Sequence, residues 1–84
     1  MNIEVISDDK HNTEFKIDNL TIAEILRVYL NEGGVDFAAW RREHPSKPLI
    51  MKVQTSDGTV AKAVADASAA IKKDCDKLVA IIKK

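Results

Sequence analysis

From Val60 to about Ile82 the chain reads as one uninterrupted helix, and that helix is too long for the rest of the protein. Val60, Val64, Ala67, Ile71, Leu78 and Ile82 recur on one face, with Cys75 near it. Ala61, Ala63, Ala65, Ala69 and Ala70 add high helix propensity and keep the cross-section slim. Lys83 and Lys84 suit the negative end of the helix dipole. At 1.5 Å per residue, about 23 residues reach ~35 Å. A seven-residue strand reaches only ~24 Å. Any small sheet covered by this helix leaves its end overhanging, and Leu78, Ile81 and Ile82 then need another surface.

The other elements follow from shorter periodicities. Ile3 and Val5 alternate with polar neighbours and suggest a first strand. Ser7-Asp8-Asp9-Lys10-His11-Asn12 is rich in turn formers and predicts the hairpin loop. Thr13, Phe15 and Ile17 alternate with Glu14, Lys16 and Asp18, the pattern of a half-buried second strand. A first helix is expected from Thr21. Thr21 as N-cap with Glu24 three residues on makes a capping box, and Leu20 with Ile25 a hydrophobic staple. Ile22, Ile25, Leu26 and Tyr29 share a stripe, which Val28 and Leu30 widen beyond what one contact needs. Gly33 or Gly34 supplies the left-handed stop.

Between the helices lies the stretch around which the sheet is organised, Val35 to Pro45. Strict alternation puts Val35, Phe37 and Ala39 on one side, expected to face the helices, and Asp36, Ala38 and Trp40 on the other. Trp40 to His44 is expected to leave the core. Pro45-Ser46-Lys47-Pro48 forces a turn. Leu49, Met51, Val53 and Thr55 alternate with Ile50, Lys52 and Gln54 as a fourth strand, and Asp57 or Thr59 caps the long helix. The order is β-β-α-β-β-α, an α+β domain spanning residues 1–84 with both helices on one face of a four-stranded antiparallel sheet.

A chain of 84 residues buries only roughly 60–65% of its unfolded surface, and such domains often need a supplement. Cys75 is the only cysteine, so a disulfide is excluded, and its neighbours Asp74 and Asp76 disfavour a thiolate. It reads as a small half-buried residue. His11, His44 and Cys75 lie in separate elements without ligand spacing, so no metal or other cofactor is expected. Asp8-Asp9-Lys10-His11 reads as a solvated loop, and no catalytic pair or phosphate-binding loop is visible. Association with another chain is the remaining supplement. Thirteen basic and thirteen acidic residues cancel, which gives no general attraction to nucleic acid or anionic membrane. With no signal peptide and no apolar run near the ~18 residues of a membrane span, the expected location is cytoplasmic.

Two surfaces are candidates for function. The first is the surplus apolar face of the helices, with Ile22, Ile25, Leu26, Tyr29 and Leu30 on one and Val64, Ala67, Ile71, Leu78 and Ile82 on the other. The second is Trp40-Arg41-Arg42, which reads equally as a secondary protein contact or a plain solvated strand end and, with Lys47, less readily as a small nucleic-acid-binding patch that Glu43 dilutes.

Several of these runs are similar to a known family. Leu20-Thr21-Ile22 with Leu26-Arg27, then Val35-Asp36-Phe37-Ala38-Ala39-Trp40 with His44-Pro45, then Thr55-Ser56-Asp57-Gly58 before Ala63-Val64 and Ala67, resemble subunit L of archaeal DNA-directed RNA polymerase. That family is related to the small α-like subunits of eukaryotic polymerases and to the amino-terminal domain of the bacterial α subunit. The resemblance covers nearly the whole chain, and the Phe-Ala-Ala-aromatic run with its His-Pro is its most specific part. It implies the polymerase α-like dimerisation fold and a non-catalytic assembly subunit. Such a subunit pairs through its two helices with a larger α-like subunit, called D in archaea. The pair then forms the platform for the large catalytic subunits, so DNA is met only indirectly and magnesium chemistry takes place elsewhere. A homo-oligomer of the isolated chain is also open. Leu20 stands where the family usually has histidine, Glu24 where asparagine is common, Ala23 where glycine or a larger apolar residue is common, and Trp40 where tyrosine is common.

Overall fold

The computed structural model describes residues 3–83. Its elements are β1 (Ile3–Asp9), β2 (Asn12–Ile17), α1 (Leu20–Glu32), β3 (Phe37–Arg41), β4 (Leu49–Gln54) and α2 (Val60–Ile82). The four strands form one antiparallel sheet in the order β1-β2-β4-β3. Because β2 and β3 both run antiparallel to β4, they are parallel to each other. They are joined across the helical layer by α1, and β4 returns between them. The molecule is only 16 Å thin along its short axis. That thickness admits one sheet and one helix layer, because packed layers lie about 10 Å apart. The second face of the sheet is therefore bare.

Strand register explains which face the helices take. Phe15 pairs with Met51, Ile17 with Leu49, Ala38 with Val53, and Trp40 with Met51. Of these, Ile17, Leu49, Met51 and Val53 are essentially inaccessible, and with Ala23 and Leu30 of α1 and Val60 and Ala67 of α2 they form the core. Glu14, Lys16, Lys52 and Gln54 fall on the alternate parity and face outward.

The parity of the central stretch is the reverse of the alternation expected from Val35. Ala38 is buried and Trp40 packs against the core, while Phe37 is 44% exposed. The strand does not begin at Val35. The Val35 N–H donates to the Leu30 carbonyl and the Asp36 N–H to the Gln54 carbonyl, so Val35 still belongs to the exit of α1. Val35 does pack on the core, from the turn rather than from the strand. Trp40 consequently stays in the core layer, and the chain turns outward only after it.

Two local expectations also shift. The first helix is capped by Asn19, whose side chain accepts from the Ile22 N–H at 3.1 Å, and helix begins at Leu20. Asn is the stronger N-cap, so it wins over Thr21, and the capping box and staple do not form. Strand β1 continues through Ser7, Asp8 and Asp9 to a tight turn at Lys10-His11, with a bulge between Val5 and Ser7. The polar residues expected in a loop are edge-strand residues, and charge and a bulge are common on an edge. The remaining punctuation is as expected. Gly34 takes the left-handed turn with φ 90° after α1. Thr59 caps α2 by accepting from the Lys62 N–H.

The hairpin turn also anchors the start of α2. The Lys10 carbonyl accepts from the Val60 N–H at 2.8 Å, and the His11 carbonyl from the Thr55 N–H at 2.9 Å. Among the described residues no helix is long and apolar enough to cross a membrane.

Candidate functional site in the groove between the helices

The apolar arc of α1 is divided between two tasks. Ala23 and Leu30 point into the core, and Leu26 between them packs on the core while also lining the groove between the helices. Ile22 and Ile25 lie to one side and remain 38% and 37% exposed. Helix α2 is divided in the same way. Val60, Ala63 and Ala67 seat it on the core, while Val64, Ser68, Ile71 and Cys75 follow the next stripe round. The two outer stripes do not meet. Between them, floored by Ile3, Val5, Phe15 and Ile17 of the sheet, lies an open groove of about 590 Å³.

Apart from Asp8, Thr13 and Ser68, this groove is walled by carbon and the Cys75 sulfur. Ile3 and Val5 on its floor are 56% and 58% exposed. These are strand residues of the helix-covered face that α1 and α2 fail to reach. Beyond Ile71 every described residue of α2 is exposed, including Leu78, Val79, Ile81 and Ile82. Ile71 and Cys75 at the groove wall are followed at helical spacing by exposed Leu78 and Ile82, so the apolar stripe of the groove runs on into the projecting helix, on a chain of zero net charge. Contiguous exposed apolar area of this kind is uncommon on monomeric proteins and makes this surface the candidate interaction site.

The residues expected at a helical interface divide accordingly. Ile22, Ile25, Leu26, Val64 and Ile71 line the groove, and Leu78 and Ile82 lie on the projection. Leu30 and Ala67 do not reach this surface, because both are core residues of the chain itself. Tyr29 lies on the opposite flank of the helix seam. Cys75, expected half-buried, is exposed at the groove wall. The contribution of Ile3, Val5, Phe15 and Ile17 was not anticipated. Their alternation shows in the sequence, but which strands a helix leaves uncovered does not.

Polar contacts hold the walls in place. Glu24 Oε1 accepts from Trp40 Nε1 at 2.6 Å and from Arg27 Nε at 2.8 Å, and Oε2 accepts from Arg27 Nη2 at 3.1 Å. The hydrogen bonds from Arg27, then that from Trp40, hold the Glu24 carboxyl down to about 2. The same partnership raises Arg27. This cluster clips α1 to β3 on the side away from the groove. At the far end of α1, Tyr29 Oη donates to Asp74 Oδ2 at 2.7 Å. That bond, with partial burial, raises the Tyr29 phenol.

The Trp40-Arg41-Arg42 patch is less available than its sequence suggests. Trp40 is half-buried with its indole N–H bonded to Glu24, and Arg41 pairs with Glu14 at 3.4 Å across the bare sheet face. Base stacking needs an open ring face on a basic surface. Among the described residues no group of histidine, cysteine and carboxylate side chains is placed to hold a metal ion. The chemistry on offer at the groove is apolar burial.

Comparison with known proteins agrees with that geometry. A family model described as the RNA polymerase Rpb3/Rpb11 dimerisation domain matches residues 11–80. The fold is similar to the crystal structure of DNA-directed RNA polymerase subunit L from Thermoplasma acidophilum, with a TM-score of 0.83 and 20% sequence identity. That likeness covers 98% of this chain and 85% of the other. A search of curated proteins returned no match.

Proposed function

The chain belongs to the RNA polymerase Rpb3/Rpb11 dimerisation-domain family, and from that premise we propose that it is the small, subunit-L-type assembly subunit of a DNA-directed RNA polymerase. It pairs with a larger α-like subunit, of the kind called D in archaea, and the pair supports assembly of the large catalytic subunits. On this reading the chain is one domain, works in the cytoplasm and performs no chemistry itself.

The observation that carries the proposal is the continuity of the groove with the overhanging end of α2. A groove alone accepts a helix, and a projecting helix alone enters one. A chain with both has a surface suited to reciprocal pairing, in which each partner gives a helix end and receives one. A standard interface takes about 800 Å² from each partner. That is about one-seventh of this chain's 5925 Å² surface. Ile22, Ile25, Leu26, Val64, Ile71, Leu78 and Ile82 make the contact, Tyr29 supports it, and Arg41 and Arg42 remain for a secondary contact beside Trp40.

Co-expression with the larger α-like subunit of the same source tests this. Ile25→Asp and Leu78→Asp change exposed residues, so each variant folds but fails to co-purify with that subunit. Retention of the subunit by both variants contradicts the proposal.

A further inference from the structure

The seating stripe of α2 does not stop where the core stops. Val60, Ala63 and Ala67 pack inward, and the same stripe continues through Asp74 to Leu78 and Ile81. Among the described residues Asp74 is thus the last on that stripe of α2 with a hydrogen-bonded partner in the rest of the fold, and that partner is the Tyr29 hydroxyl. Val60 and Val64 anchor the first turns of α2 on the core, but beyond Val64 the only described residue seated there is Ala67. An alanine offers no ridge to set how one helix lies on another, so this contact holds α2 close without fixing the cant of its second half. A hydrogen bond from a phenol to a carboxylate, 2.7 Å long, is short and directional.

We infer that the Tyr29–Asp74 hydrogen bond is a latch that aims the projecting end of α2, making Tyr29 and Asp74 positioning residues for the pairing proposed above, on which this inference rests. From Asp74 to Ile82 is eight residues, a lever of ~12 Å, so a swing of about 10° moves its tip by about 2 Å. Binding surfaces hold their partners only when kept within about 0.5 Å and 10–20° of the productive geometry. The latch acts from the flank of the helix seam opposite the groove, so a partner seated in the groove does not displace it. The Lys72–Asp76 pair, which brackets Asp74 in sequence, is local to α2 and cannot replace it.

Two readouts on the same variants test the latch. Tyr29→Phe keeps the ring that packs against the core and removes only the hydroxyl; Asp74→Asn removes the charged acceptor; Asp76→Asn is the control. Spin labels at Lys52→Cys and Ala80→Cys, in a Cys75→Ser background, report the distance from the sheet to the tip of α2. Calorimetric titration with the larger α-like subunit reports affinity. The expected result is a broadened distance distribution and about threefold to tenfold weaker binding for Tyr29→Phe and Asp74→Asn, with the double variant no worse than either. Asp76→Asn and the melting temperatures stay near the parent's. An unchanged distribution overturns the latch. A broadened distribution with full affinity overturns its role in pairing. If the parent chain itself does not bind the α-like subunit, the assembly reading fails and positioning for that partner fails with it, while the distance distribution still decides whether Tyr29 and Asp74 aim the helix.

Discussion

Replacing Leu78 by glutamine separates what α2 does for the chain from what it does for a partner. Leu and Gln have similar helix propensity, so the helix itself is little disturbed. Full burial of a leucine stabilises by about 1.5–3 kcal/mol. Leu78 is 57% exposed, so less than half of that stabilisation exists in the lone chain. The substitution should lower folding stability by about 1 kcal/mol or less. In the pair, the rest of the side chain is buried as well, and a buried amide without a partner costs about 1–3 kcal/mol more. The sum predicts a loss of about 2–5 kcal/mol in binding, or about thirtyfold to several thousandfold in Kd. Urea unfolding at low micromolar concentration, repeated at a tenfold higher one, gives the first quantity. Calorimetric titration with the α-like subunit gives the second. A stability loss of several kcal/mol that is independent of concentration refutes the reasoning, because it means Leu78 is already buried within its own chain.

Three further outcomes follow from the local structure. Asn19→Ala should cost about 1 kcal/mol in urea unfolding while Thr21→Ala costs little, since Asn19 accepts the Ile22 N–H. Gly34→Ala should cost about 1–2 kcal/mol from backbone strain alone, because φ is 90° there and an added Cβ meets nothing within 4 Å. Glu24→Gln should alter acid stability in a defined window. The Glu24 carboxyl is depressed from 4.5 to about 2, so its contribution is present above its unfolded value and fades as pH falls through about 2. The parent should therefore exceed the variant in urea midpoint at neutral pH, and the two should converge near pH 2.

The order of elements and the bounds of α2 are legible in the sequence because their signals are local. Alanine content, a 3.6-residue stripe and Thr59 define α2, and alternation with a Pro-Ser-Lys-Pro turn defines β4. The parity of β3 is not legible, because it depends on one residue. Whether Val35 opens the strand or closes the turn after α1 is settled by the Leu30 carbonyl, a partner outside the strand. That single displacement exchanges Phe37 and Ala39 for Ala38 and Trp40 on the covered face. The N-cap fails for a similar reason, since Asn19 and Thr21 both qualify on chemistry and the tertiary path chooses. For the site, the surplus of apolar helix surface predicts that something is left uncovered. Which residues are left over is a matter of packing, and the division of α1 into Ala23 and Leu30 inside, Ile22 and Ile25 outside, and Leu26 shared between core and groove appears only once the sheet is in place. The bonds from Glu24 to Trp40 and from Tyr29 to Asp74 join residues too distant in sequence for any spacing rule to pair them.

The most direct test of the account is amide hydrogen exchange of the chain alone and with the larger α-like subunit. The account predicts new protection in the second half of α2, in the amino-terminal half of α1 and along β1, with little change in β3, whose exposed Phe37 and Arg41 face away from the groove. Protection gained at β3 while the end of α2 exchanges as before would place the partner on the bare face of the sheet and contradict the account.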